Sequence, residues 1–325
     1  MVESVTKNRQ PVEVLRRIVA RAYGDSEVPD GDDFATELGD GFFNVAYRIV
    51  LRSGRQAVVK IAPPAGVPVM TCERDIMRNE LAAIALLRER TSAPVPGVDC
   101  ADLTGELVDA AWFAMPLVEG VSLSSLEEAG EVPPEVTEGL RRELGAINRG
   151  INEVVGERFG PLVGDGFATW REAFAAMMDD ILDDGERVGL DLGVEYDAIR
   201  SLLDAHLDAL DEVTEPRLVA WDLWPGNVLV RDGRIVGLID HERALWGDPL
   251  IEAGFNGMDL PDFGDPTPFI EGYGLGFVTE PMARRRWLYS IYLVLLMIIE
   301  THYRQYPDDG QYHWARGLLA GLIGD

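Results

Sequence analysis

Lysine is nearly missing from this chain. Of its 29 basic residues only Lys7 and Lys60 are lysines, and the remaining 27 are arginines. A chain that writes its cations as arginine and yet keeps a lysine in an apolar run marks a position that needs a compact ammonium rather than a planar fork. Cysteine is as sparse: Cys72 and Cys100 alone make no disulfide framework. Long apolar runs are lacking too. The longest, 288–299, is interrupted by Tyr289 and Ser290 and is too short to span a bilayer. The first residues carry charges where a signal peptide has its apolar core. These absences point to a cytosolic protein with no membrane segment. Positive charge is in deficit, with a net charge of −27. That argues against nucleic-acid binding, which needs a basic patch. The acidity suits a cationic small molecule, and it serves solubility equally well. Four histidines (His206, His241, His302, His313) lack metal-ligand spacing. What is present is ordinary globular material, 47% apolar and 26% charged over 325 residues. That is enough for one large or two ordinary domains.

The stretch from Leu218 to Pro249 organises the rest. Two short apolar runs, 228–230 and 235–239, flank Arg231-Asp232-Gly233-Arg234, whose Asp-Gly pair signals a hairpin. Asp222 and Asn227 precede the first strand and Asp240 ends the second, so folding the hairpin gathers the three at one end. An acid, an amide five residues on and a second acid thirteen further resemble the catalytic and metal-binding loops of the protein-kinase-like fold. The wording Leu223-Trp224-Pro225-Gly226-Asn227 and the Gly247-Asp248-Pro249 tail resemble the aminoglycoside phosphotransferase and choline kinase branch. That resemblance implies that Asp222 orients and deprotonates an acceptor hydroxyl, while Asn227 and Asp240 hold magnesium on the phosphates of ATP; GTP is left open as donor. The residue types suit the task, since magnesium takes hard oxygen ligands and an alcohol needs a carboxylate within reach. One departure stands out: the family's His-Gly-Asp reads Ala220-Trp221-Asp222 here. The family histidine helps to pin the loop backbone, so its loss bears on loop rigidity.

Upstream, residues 11–22 carry the apolar periodicity of an amphipathic helix. A three-strand meander is then expected over 34–38, 45–51 and 56–61. Its first loop, Gly39-Asp40-Gly41-Phe42-Phe43-Asn44, has glycines that let backbone N–H groups approach phosphates. Under the resemblance Gly39, Asp40 and Gly41 form the phosphate lid, and Lys60 binds the α- and β-phosphates. Periodicity predicts a helix over 72–90 with Glu80 on its apolar stripe. A buried carboxylate requires a partner; the resemblance makes that partner Lys60, with Glu73 as the rival. Strands are expected over 98–103 and 111–117. The run 113–120 resembles the interlobe hinge, where Met115, the Pro116 carbonyl and the Val118 N–H meet adenine. Beyond it the chain turns helical: 133–155, 170–188 with its cluster Asp179, Asp180, Asp183 and Asp184, then 196–213, 281–306 and 311–322.

The expectation is an α+β, two-lobed protein-kinase-like fold. Residues 1–117 form a small antiparallel-sheet nucleotide-binding lobe, and 118–325 form a mostly helical lobe with the catalytic hairpin and acceptor site. The implied function is an ATP- and magnesium-dependent O-phosphotransferase acting on a cationic antibiotic or similar natural product, with no nucleic-acid or membrane partner. The resemblance also admits choline, homoserine, macrolide or fructosamine acceptors. Ala220-Trp221 raises a reading of another class, a nucleotide-binding pseudokinase.

Overall fold

Along Val45–Val50 every second residue is buried, the period of a strand with one covered face. Around it the chain builds an antiparallel sheet from β1 (Ala35–Leu38), β2 (Val45–Val50), β3 (Gln56–Ile61), β4 (Cys100–Asp102) and β5 (Trp112–Pro116), in the order β1-β2-β3-β5-β4. The computed structural model describes residues 3–39, 41, 43–130 and 132–324. Helix α1 (Val12–Tyr23) buries Leu15, Ile18 and Val19 against Val45, Tyr47, Ile49, Val59, Ile61 and Trp112. On β3 the residues of that core are Ala57, Val59 and Ile61, so the two-residue period sends Val58 and Lys60 to the opposite face. Register places Lys60 between Ala46 on β2 and Phe113 on β5.

The described residues group into two compact units. The first comprises Met1–Val69, Pro96–Val118 and Thr301–Asp308; the second comprises Met70–Val95, Glu119–Glu300 and Asp309–Asp325. The second unit begins with α2 (Ile76–Arg90), shorter than the 72–90 that periodicity suggests. Asp75 takes a left-handed φ of 54°, and the Glu73 carboxylate reaches back to the Met70 N–H at 3.0 Å, so a separate turn precedes the helix. Then follow β6 (Val121–Ser122), α3 (Leu123–Ala129), α4 (Pro134–Asn152), β7 (Gly160–Pro161), α5 (Trp170–Arg187) and α6 (Tyr196–Asp204). The helix expected over 196–213 stops at Asp204 and continues as a 3₁₀ turn over Leu207–Glu212. His206 turns its ring onto Trp287 (4.8 Å), and Arg285 takes the Ala209 carbonyl, contacts no local pattern announces.

Strands β8 (Arg217–Val219), β9 (Val228–Arg231), β10 (Arg234–Leu238) and β11 (Leu245–Gly247) complete two small antiparallel sheets, ordered β10-β9-β6 and β7-β11-β8. Helices α7 (Thr267–Tyr273), α8 (Glu280–Arg304) and α9 (Gly310–Ile323) follow. Trp170 and Phe174 of α5 pack edge-on against Tyr289 of α8. The Tyr289 hydroxyl takes the Trp170 indole N–H at 2.7 Å and donates to Asp248 at 2.7 Å. Asp248 also receives the Arg285 Nε–H at 2.8 Å and caps the Leu250 N–H. The Gly247-Asp248-Pro249 tail is thus a buried brace. No helix among the described residues is long and apolar enough to cross a membrane.

Helices α4 and α7 meet through glycine. A Cβ on Gly272 would lie 1.9 Å from the Arg142 carbonyl oxygen, and one on Gly145 would lie 2.1 Å from that of Phe269. Backbone cannot yield as a side chain does, so Gly272→Ala should cost about 1–3 kcal/mol, at the upper end of overpacking. Thermal melting should show it as a drop of several degrees, whereas Gly276→Ala, with open space around its Cβ, should melt as wild type. Equal melting of both variants would mean the helices part without cost.

Candidate active site

The Asp232-Gly233 turn pairs Arg231 with Arg234 and Val228 with Leu238, with one bulge between Ile235 and Gly237. Pairing in that register carries Asn227 and Asp240 to the same end, where the Ile239 N–H donates to the Asn227 carbonyl at 3.1 Å. Asp222 joins them. The Asn227 amide nitrogen donates to the Asp222 carbonyl (3.0 Å) and to its carboxylate Oδ2 (3.1 Å). With Nδ2 so occupied, the Oδ1 of Asn227 is the atom available to a cation. Asn227 is buried, and Asp222 is half-buried. Burial, and next the nearby Asp240 carboxylate, push the Asp222 carboxyl up to about 7, against the opposing pull of Arg243. A carboxyl poised there is matched to taking a proton near neutrality.

Two residues at this end have left-handed backbone, Trp221 (φ 64°) and Asp240 (φ 65°). Aspartate tolerates that region; for tryptophan it costs about 1–2 kcal/mol. The surroundings hold it. The Trp221 ring packs against Tyr292 (5.6 Å), and the Arg243 guanidinium lies 5.3 Å from its centre. Arg243 sits between Glu73 (3.7 Å) and Glu300 (3.9 Å). Burial pulls its pKa down, but the charges of Cys72, Glu73, Glu300 and Glu242 outweigh that and hold it above the usual arginine range. Glu73, the sequence's rival partner for Lys60, is therefore engaged by Arg243.

Glu252, which no sequence signal marked, holds the loop from beneath. Its fully buried carboxylate accepts the N–H groups of Trp221, Leu223 and Ala253, each at 2.9 Å. Two of those donors flank Asp222 on either side. The loop that lacks the family's histidine is thus pinned by its own backbone to a carboxylate 30 residues downstream.

Helix α2 contributes Glu80. Asn79, its neighbour, donates to the carbonyls of Glu242 (2.9 Å) and Ala244 (2.7 Å) and accepts the Leu162 N–H, docking α2 on the segment after β10. Carboxylate oxygens of Glu80, Asp240 and Glu242 lie within 4.8 Å of one another. That hard-oxygen set fits magnesium. Glu242, which sequence reasoning passed over, stands two residues after Asp240, a spacing that could have suggested it.

In the first unit the structure places Lys60, buried, on β3; Met115 and Pro116 end β5; Val118 follows. Gly39 and Gly41 fall in the loop between β1 and β2, and Asp40 and Phe42 lie outside the described residues. The acidic cluster of α5 is divided. Asp184 is buried and accepts from the Thr71 N–H and hydroxyl, Asp183 pairs with Arg200, and Asp179 and Asp180 are exposed. A cleft of ≈ 310 Å³ in the second unit includes Arg149, Asp248, Tyr273 and Arg285 but none of Asp222, Asn227 or Asp240.

Comparison with known proteins bears on the family and the fold. A model of a family described as the phosphotransferase enzyme family matches residues 35–288. No curated protein matches the sequence. Among solved structures, a thermostable mutant of aminoglycoside phosphotransferase APH(4)-Ia, in ternary complex with AMP-PNP and hygromycin B, superposes with a TM-score of 0.68 at 18% identity. The match covers 95% of this chain and 97% of that one. A proposed fructosamine-3-kinase from Thermobifida fusca YX-ER1 gives 0.65 at 19% identity, covering 95% and 99% of the two chains. A macrolide 2'-phosphotransferase type I gives 0.60 at 17% identity, covering 94% and 96%. Identities this low establish the kinase-like α+β fold.

Proposed function

The chain belongs to the phosphotransferase enzyme family, and from that premise we propose that it transfers the γ-phosphoryl group of ATP to a hydroxyl of a cationic natural product, with magnesium. The observation that carries this reading is the gathering of Asp222, Asn227 and Asp240 at one end of the β9–β10 hairpin, with Asn227 bonded to Asp222. In the proposed reaction Asp222 accepts the hydroxyl proton as the acceptor oxygen bonds to the γ-phosphorus, and ADP departs with the electrons of the broken P–O bond. Lys60 holds the α- and β-phosphates as a point charge. Gly39, Asp40 and Gly41 cover the phosphates, while Met115, Pro116 and Val118 receive adenine. Asn227 and Asp240, with Glu242 beside them, would hold magnesium, whose charge neutralises the phosphate oxygens. Every other contribution is positioning. On this reading the first unit binds the nucleotide and the second carries the acceptor.

The cationic acceptor rests on the net charge of −27. Asp179, Asp180 and Asp183 of α5 are exposed, Asp183 being paired with Arg200; partial desolvation, and next the Asp184 and Asp183 charges, raise the Asp180 pKa. Coupled ADP release, screened over aminoglycosides, other basic natural products, choline, homoserine and fructosamines, should find a cationic acceptor. Its kcat/KM should fall steeply as salt shortens electrostatic reach to about 8 Å. KM for magnesium-ATP, itself an anion, should not follow. Turnover of a neutral acceptor, flat in salt, would remove the cationic reading and leave phosphoryl transfer standing. Nucleotide binding without turnover of any acceptor would favour the pseudokinase.

A further inference from the structure

The N-terminal segment is laced across the strand ends that carry the glycine loop and Lys60. The Val5 N–H donates to the Arg304 carbonyl (3.2 Å), and the Gln10 N–H donates to the Tyr47 hydroxyl on β2 (2.9 Å). Asn8 Nδ2 donates to the carbonyl of Ala62, the residue after β3 (3.1 Å), and Arg9 pairs with Glu37 on β1 (2.8 Å). Between these ties Lys7 Nζ donates to the carbonyl of Asn44, the last residue of the glycine loop (2.9 Å). The next loop residue inward, Phe43, is buried, with the Arg304 guanidinium 4.5 Å from its ring centre.

Lys7 is only 8% exposed. A Cβ on Gly41 would stand 3.5 Å from its ammonium and 3.4 Å from the Asn44 oxygen, so the cation lies against the loop backbone itself. Burial of an ammonium is tolerated only where hydrogen bonds satisfy it. Both lysines of a chain otherwise supplied with arginine are buried in the unit that carries this loop. At Lys7 a compact donor closes on one carbonyl, where a guanidinium fork would require more room.

We propose that Lys7 is a positioning residue for the nucleotide phosphates: it clamps the Asn44 carbonyl and holds Gly41 and Asn44 of the glycine loop in place, with residues 3–10 acting as the strap behind it. The phosphate-binding role of the loop comes from the function proposed above; the clamp itself does not depend on it. Loop residues held in this way present their N–H groups without paying ordering entropy at each binding event. Losing the clamp should therefore weaken nucleotide binding and leave the acceptor largely unaffected.

The test is calorimetric titration of the full chain with AMP-PNP and magnesium, alongside steady-state kinetics. Lys7→Met should raise the nucleotide Kd and the KM for ATP about 10-fold, the order expected for one charge-assisted hydrogen bond. The acceptor KM should stay within twofold. Lys7→Arg, which keeps the charge, should fail to restore the nucleotide Kd. Asn8→Ala, which loosens the strap without touching the ammonium, should shift it in the same direction by about 2–3-fold, and it serves if Lys7→Met does not fold. A folded Lys7→Met or an Asn8→Ala with wild-type nucleotide Kd overturns the proposal. If the wild type binds no nucleotide, the functional reading fails; the clamp is then judged by amide exchange at Asn44 and Val45. Faster exchange in Lys7→Met supports it, and unchanged exchange overturns it.

Discussion

Asp222→Asn should lower kcat by about 10²–10⁴, the range for removal of a positioned proton acceptor. The substitution is nearly isosteric, and the Asn227 Nδ2 contact to the Asp222 main-chain carbonyl does not involve the lost charge. The loop should therefore keep its shape, and nucleotide Kd should change little. Loss of a negative charge beside Asp240 even relieves a repulsion, since each carboxylate raises the cost of ionising its neighbour. A fall in kcat with unchanged nucleotide binding identifies a group that acts on the acceptor proton. Wild-type turnover in this variant would remove Asp222 from the chemistry.

Glu252 should produce the second large effect, through position rather than proton transfer. Glu252→Ala strands two buried N–H donors, those of Trp221 and Leu223, while the Ala253 N–H keeps the Trp221 carbonyl. At about 1–3 kcal/mol for each unsatisfied group, the loss is a sizeable share of a domain's stability. Glu252→Gln is the sharper probe. It retains an oxygen for Leu223 and Ala253 but turns an amide NH₂ against the Trp221 N–H, releasing one side of the loop. Displacing a catalytic group by about 1 Å costs on the order of 10²-fold, so kcat should fall about 10- to 10²-fold while KM for ATP stays within threefold. A folded Gln variant with normal kcat would show that the loop positions itself without Glu252.

The same carboxyl makes stability depend on pH. Burial raises its pKa from 4.5 to about 7, although the three backbone donors favour the ionised form. Between those values the folded state holds a proton that the unfolded chain has released. The unfolding free energy therefore declines as pH rises through that window. The Gln variant has no such proton. The stability gap between wild type and Glu252→Gln should thus narrow from about pH 4.5 to about 7, as denaturant titrations at several pH values would show.

The gathering of three polar side chains at the hairpin end could be read from the chain because it is local. Asp222, Asn227 and Asp240 lie within one hairpin, and a two-residue turn with its known register suffices to predict that they meet. The same holds for α5, whose ends fall within a residue of the expected 170–188. Lys60 could be singled out by composition, and strand alternation is enough to put it on the face opposite α1.

Other parts of the site have no local signature. Glu252 accepts from residues about 30 positions away, Asn79 docks α2 on residues more than 160 positions away, and Asp184 caps a turn 113 residues earlier. The acidic cluster on α5 looks uniform in sequence, yet one member is buried against Thr71 and another paired with Arg200. Glu73 and Glu80, alike as buried carboxylates, were separated when Arg243 engaged the first, and the second joined Asp240 and Glu242. Periodicity reports which face of an element is apolar, and turn chemistry reports where the chain reverses. Neither reports which buried charge meets which, because a desolvated carboxylate takes its partner from whatever segment the packing of distant helices brings against it.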